Sequence, residues 1–163
     1  MRVGPPPAGL QGTVETPGDK SIGHRAVLFG ALASGRTVVT GFPGGADVRA
    51  SLAAIRALGA AADWHGTTVT IDGRGLALGN RGETRIDCAN SGTTMRLVAG
   101  ICAGHAGRVI LDGDTSLRQR PMERVAAPLR AMGAQVTTTD GRPPLVVQGG
   151  ELRALDCTLP VAS

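Results

Sequence analysis

The chain has no tyrosine, and its only aromatic residues are Phe29, Phe42 and Trp64. That leaves almost no surface on which bases could stack, so single-stranded nucleic-acid binding has little support. Lysine is nearly absent too. Of 17 Lys+Arg residues only Lys20 is a lysine, and the arginines are scattered rather than gathered into an arm or stripe. A net charge of +4 and a pI near 9.8 therefore suit a small anionic ligand better than a polyanion. The three cysteines, Cys88, Cys102 and Cys157, form no CxxC pair and no Cys/His cluster. This excludes a disulfide framework and a zinc module, and predicts three buried thiols in a reducing compartment. No apolar run is long enough to span a bilayer. Met1–Gly4 leads into Pro5-Pro6-Pro7 without the apolar stretch of a signal peptide. The expectation is a cytoplasmic protein that binds neither membrane nor nucleic acid.

What is present is a globular composition, with 42% hydrophobic residues, and an internal repeat. Gln11–Thr16 alternates like a short strand. A first helix is predicted from Ser21 to Ala33, a strand at Arg36–Gly41, and a second helix from an Asp47 cap to Leu58. A hairpin follows, Ala60–Trp64 and Thr67–Asp72, turning at His65-Gly66. After a glycine-rich loop (73–84), with a strand at Thr84–Cys88, the pattern returns. Asn90–Arg96 opens an apolar helix through Ala103, and Gly107–Gly113 parallels Gly35–Gly41. Pro121 suits the first position of another helix, and Arg130–Ala134 parallels Arg56–Ala60. A second hairpin is predicted at Gln135–Thr139 and Leu145–Gln148. The offsets between units are 71 to 74 residues. A strand-like Ala154–Leu159 then matches Thr84–Cys88, which puts Ser163 where a third unit's helix begins. The chain thus reads as α/β, two helix–strand–helix–hairpin units and the threshold of a third.

The equivalent point of each unit is small, polar and at a helix start: Lys20-Ser21, Asn90-Ser91-Gly92-Thr93, and Ser163. Unpaired N–H groups and the helix dipole make such points receptive to phosphate or carboxylate. Taken alone, Lys20-Ser21 reads more readily as ordinary capping, and for Asn90–Thr93 capping serves equally well. Packed about a pseudo-threefold axis, the three starts would converge. Arg118 and Arg120, just before Pro121, are either solvated or a bidentate clamp, with Arg120 the better candidate. Asp47 and Arg49 read as capping and surface residues, and His24, His65 and His105 as structural. No GxxxxGK[ST] loop exists.

Four stretches together, Pro17-Gly18-Asp19-Lys20-Ser21-Ile22-Gly23-His24-Arg25, Asn90–Arg96, Leu117-Arg118-Gln119-Arg120-Pro121-Met122 and Pro160-Val161-Ala162-Ser163, resemble the 5-enolpyruvylshikimate-3-phosphate (EPSP) synthases. The likeness runs from residue 11 to the end and covers somewhat more than the first third of such an enzyme. It implies transfer of the enolpyruvyl group of phosphoenolpyruvate to the 5-hydroxyl of shikimate 3-phosphate, with release of phosphate, and no metal or organic cofactor. The implied fold is an inverted α/β domain of βαβαββ units, cut at the start of its third. Residues 1–17 would be a tail and strand that pairs in a second domain. Residues 18–163 would be an incomplete first domain, with units at about 18–83 and 84–153 and a third starting at 154–163.

The resemblance also implies roles. Lys20 would be catalytic and contact both substrates, Ser21 and Arg25 would bind shikimate 3-phosphate, and Ser163 would hold its phosphate. Asn90 and Gly92 would line the phosphoenolpyruvate pocket, and Arg120 would bind phosphoenolpyruvate. Glycine at 92 resembles the pattern of glyphosate-sensitive members, whereas Asp19 and the closing Val-Ala-Ser look like the second class of these enzymes. The groups that move protons would lie in the second domain, so the isolated chain would be inactive and the full-length enzyme a monomer. Two alternatives remain: the sister enzyme acting on UDP-N-acetylglucosamine, whose first motif has asparagine where this chain has Ser21, and a non-catalytic anion-binding module.

Overall fold

The computed structural model describes residues 4, 9, 11–79 and 82–158. Ser163, and with it the predicted third helix start, lies outside the described residues. The first unit runs α1 (Lys20–Leu32), β1 (Ser34–Val39), α2 (Ala46–Ala57), β2 (Ala61–His65) and β3 (Thr68–Arg74). The second runs β4 (Glu83–Asp87), α3 (Gly92–Ala103), β5 (Arg108–Asp112), α4 (Thr115–Arg118), α5 (Glu123–Ala131), β6 (Gln135–Thr139) and β7 (Arg142–Gln148). The predicted repeat is therefore present, with the short α4 as an addition the sequence reading lacked.

Sheet order makes the repeat explicit. The first sheet is β1-β3-β2, all antiparallel, and the second is β4-β5-β7-β6, with β4 parallel to β5. Thus β1-β3-β2 corresponds to β5-β7-β6: Arg36 pairs with Asp72 as Arg108 pairs with Gln148. Along the central strands β3 and β7 alternate side chains are buried, as a sheet covered on one face requires. The covering layer is helical. α1 packs on α2 and α2 on α3, while β3 lies against α1 and β7 against α3. A single core joins Val27 and Leu28 of α1, Leu52 and Ile55 of α2, Ile71 of β3, Met95 and Val98 of α3, and Leu111 and Leu145 of the second sheet.

Several expectations need correction. Gln11–Thr16 forms no strand, and Val14 is 84% exposed. No described strand runs beside it, and an extended segment without a partner cannot satisfy its backbone in a ladder. Ala154–Thr158 is likewise not a strand, and Leu159 lies outside the described residues. Gly45, not Asp47, caps α2. Pro121 precedes the cap of α5, which is Met122, and the Met122 N–H donates to the Gly141 carbonyl. Cys88 and Cys102 are buried but Cys157 is exposed. Burial pushes the two inner thiols up to about 12, so they behave as small apolar side chains. No helix of the described residues is long and apolar enough to cross a membrane.

Candidate functional site

Three helix starts meet at the first turn of α2. Asp19 caps α1, its carboxylate accepting from the Ile22 N–H at 2.7 Å, which places Lys20 first in the helix and Ser21 second. Such a cap contributes about 1 kcal/mol. Released from the capping role, Asp47 reaches across from α2 and accepts from Lys20 Nζ at 2.9 Å. Its backbone carbonyl accepts from Thr94 Oγ1 at 3.2 Å, at the start of α3. Ser91 caps α3 by accepting from the Thr94 N–H at 3.1 Å, so Gly92 is the first residue of that helix. Two of the three predicted starts are thus brought together, with α2 as an intermediary the sequence did not announce.

The cations stand above this junction. Lys20, Ser21 and Arg25 are exposed, and Arg25 folds back to donate to the Ser21 carbonyl at 3.0 Å. Arg120 is half-buried and donates through Nη2 to Asn90 Oδ1. Asn90 in turn donates from Nδ2 to Asp114 at 2.7 Å, which aims its carbonyl oxygen at the arginine. That bond from Asn90, seconded by the Leu117 N–H, holds the Asp114 carboxyl below the usual carboxylate range. Gly92 is buried beneath two guanidiniums. A Cβ there would lie 2.5 Å from Arg96 Nη1 and 3.3 Å from Arg120 Nη1. Glycine lets both guanidiniums settle there; a methyl would have to push their flexible ends aside. Arg118, the weaker of the two clamp candidates, is occupied by Asp112 at 2.6 and 2.9 Å.

Sequence reading missed two participants. Arg96 closes the Asn90–Arg96 motif, which by itself assigns it no role. It sits one turn along α3 from Gly92, donates to the Pro121 carbonyl at 3.2 Å, and has its pKa lowered by burial and by Arg120 and Arg124. Its spacing of four from Gly92 was the available signal. Asp47 reads as a cap in sequence, and nothing local distinguishes a capping aspartate from one that reaches another helix. Arg49 also proves more than a surface residue, since it stacks 4.7 Å over the Trp64 ring and donates to the Gly44 carbonyl.

A cleft of about 560 Å³ opens nearby, at the carboxyl ends of the parallel strands β4 and β5. Its polar walls are Arg85, Asp87, Asp112, Asp114 and Arg118, and none of Lys20, Gly92 and Arg120 lines it. Three carboxylates there, two of them already bonded to Arg118 and Asn90, suit an anion poorly. The helix junction, with its exposed Lys20 and Arg25, is the better candidate. Among the described residues, no three His, Cys, Asp or Glu side chains gather as a metal set.

Beneath the junction lies His24, 0% exposed, with Nδ1 2.7 Å from Ser51 Oγ. Burial lowers its pKa from 6.5; Asp47 opposes the shift, and Lys20 and Arg25 reinforce it. The unfolded chain therefore binds the proton more readily than the folded one. Stability from this group is complete above about pH 6.5 and is lost as pH falls through the depressed folded value. Urea midpoints measured from pH 7.5 to 5 should decline in the parent and decline less in His24→Asn. Equal slopes in the two proteins would show that His24 is not held neutral.

Fold and site together define a scaffold of repeated α/β units that gathers cations at converging helix starts. A profile of the family described as EPSP synthase (3-phosphoshikimate 1-carboxyvinyltransferase) matches residues 5–163. The 3-phosphoshikimate 1-carboxyvinyltransferase of Shouchella clausii is 46% identical over 158 residues, which is 96% of this chain and 37% of that protein. Its counterpart in Anaeromyxobacter dehalogenans is 48% identical over 164 residues, 99% of this chain and 36% of that one. The solved EPSP synthase of Acinetobacter baumannii superposes with a TM-score of 0.88 at 43% identity, covering 93% of this chain and 35% of that one. The chain belongs to the EPSP synthase family. It spans a little over one third of the length of these relatives.

Proposed function

We propose that this chain supplies one face of an active site that transfers the enolpyruvyl group of phosphoenolpyruvate to the 5-hydroxyl of shikimate 3-phosphate and releases phosphate. The observation that carries the reading is the meeting of helix starts beneath Lys20, Arg25, Arg96 and Arg120 in a chain of this family. Both substrates are phosphorylated carboxylates, and the tetrahedral adduct between them concentrates their charge. Fixed cations and helix N-termini stabilise such charge without reorganising. Lys20 would exchange Asp47 for substrate oxygens and bridge the two ligands, while Ser21 and Arg25 beside it take shikimate 3-phosphate. Arg120, aimed by Asn90, would clamp phosphoenolpyruvate near Gly92, where the missing side chain lets Arg96 and Arg120 draw close.

Residues 18–163 would form an incomplete first domain, residues 1–17 a tail and strand for a second one, and Ser163 the third helix start, set to hold the shikimate phosphate. The groups that move protons would come from that second domain, in a monomeric cytoplasmic enzyme acting on small molecules. UDP-N-acetylglucosamine is the less favoured acceptor, because it carries no carboxylate for this arginine-rich face. Calorimetric titration of the 163-residue chain should show salt-sensitive binding of shikimate 3-phosphate and none of UDP-N-acetylglucosamine. No heat with shikimate 3-phosphate, or equal affinity for both, would sink the reading. Phosphate release from both substrates by the chain alone should be absent, and turnover would overthrow the dependence on a second domain.

A further inference from the structure

Four polar side chains are sealed inside the helix layer: His24 and Ser51 at 0% exposure, Ser91 at 1% and Thr94 at 0%. They form one chain of contacts across three helices. His24 Nδ1 is 2.7 Å from Ser51 Oγ, Ser51 Oγ is 2.9 Å from Thr94 Oγ1, and Thr94 Oγ1 is 2.8 Å from Ser91 Oγ. Packing alone does not require them, since apolar groups of the same shape would fill the space at little cost. What a fully connected buried network adds is a fixed geometry.

One ordering of protons satisfies every contact. Thr94 donates to the Asp47 carbonyl, so its oxygen accepts from Ser91 and from Ser51. Ser51, having donated, accepts from His24 Nδ1–H. His24 is thereby set in its Nδ1–H tautomer, with Nε2 buried and without a partner among the described residues. Thr94 is the node. Two routes lead from it to α1, one through Ser51 to His24, a turn from Lys20, and one through Asp47 to Lys20 Nζ itself. A third contact joins it to Ser91, the cap that decides where α3 and Gly92 begin.

We propose that Thr94 is a positioning residue, which never touches ligand but holds the Lys20 arm and the Gly92 arm of the site at one spacing. The inference rests on the proposed binding of shikimate 3-phosphate at that junction, and its test separates the two. Thr94→Val keeps the shape and removes the hydroxyl; Thr94→Ser keeps the hydroxyl. NMR of the 163-residue chain should find the Nδ1–H tautomer of His24 in the parent and in Thr94→Ser. In Thr94→Val the amide signals of residues 20–23 should shift together with those of 92–95, and shikimate 3-phosphate affinity should fall about fivefold while Thr94→Ser stays within about twofold. If Thr94→Val does not fold, Ser51→Ala cuts only the His24 route and should shift the same α1 signals. Unmoved α1 signals in the folded variant, or an Nε2–H tautomer in the parent, would overturn the proposal. A parent chain that binds no shikimate 3-phosphate refutes the binding reading, and the NMR result still decides the positioning one.

Discussion

Lys20→Met is expected to weaken shikimate 3-phosphate binding by about one to two orders of magnitude, the loss that follows when a charge-assisted hydrogen bond disappears. Methionine keeps most of the side-chain length and loses the ammonium. It also leaves the Asp47 carboxylate without its cation at the point where the phosphate would sit, so repulsion adds to the lost attraction. Within a complete enzyme, where the same charge would face the tetrahedral adduct, kcat/KM should fall by about 10²–10³. Stability should hardly change. The side chains of the Lys20–Asp47 pair are 59% and 32% exposed, and such pairs contribute well under about 1 kcal/mol. Binding within threefold of the parent, measured by calorimetry with an unchanged urea midpoint, would remove Lys20 from the site.

Gly149→Ala is expected to destabilise the chain by about 3 kcal/mol, near the upper end for overpacking. A Cβ at Gly149 falls inside contact distance of the His105 and Cys102 carbonyl oxygens, which are backbone atoms at the end of α3 and cannot swing away. Gly73 repeats the arrangement in the first unit against the Ala33 and Gly30 carbonyls at the end of α1. In both units the chain leaving the central hairpin strand passes under the end of the unit's first helix. There the Gly75 N–H donates to Ala33 and the Gly150 N–H to Ala103. Gly73→Ala should therefore match Gly149→Ala in size. Gly100→Ala is the contrast: inside α3, an added Cβ would meet no other described residue within 4 Å beyond the helix's own backbone, and helix propensity should make it stabilising by up to about 1 kcal/mol. A Gly149→Ala urea midpoint equal to that of the parent would show that the strand does not run as close to the helix end as described.

The repeat was legible because each unit repeats local signals: an apolar helix, a β-branched strand, and a hairpin with glycine at its turn or helix end. Those depend on neighbours within a few residues. The helix starts at Lys20 and Gly92 were legible for the same reason. Asp47 shows the limit. Its position two residues into α2 fits a cap or a first-turn acid equally, and only the packing of α1 on α2 turns its carboxylate toward Lys20. Gln11–Thr16 shows it again: alternation makes a segment competent to be a strand, but a strand exists only beside a partner.

By itself, then, the sequence determined most of the elements, their order, their repetition and the family, because these are written in short-range pattern and in motifs read one stretch at a time. Tertiary structure alone decided that α2 sits between the two helix starts, that Arg96 joins Arg120 over Gly92, and that His24, Ser51, Thr94 and Ser91 form one buried chain. The reason is distance along the chain. Ser51 and Thr94 are 43 residues apart and His24 and Ser51 are 27, so no local signal marks them as partners. Only the close packing of three helices, set by the apolar core beneath them, brings those hydroxyls within 3 Å of one another.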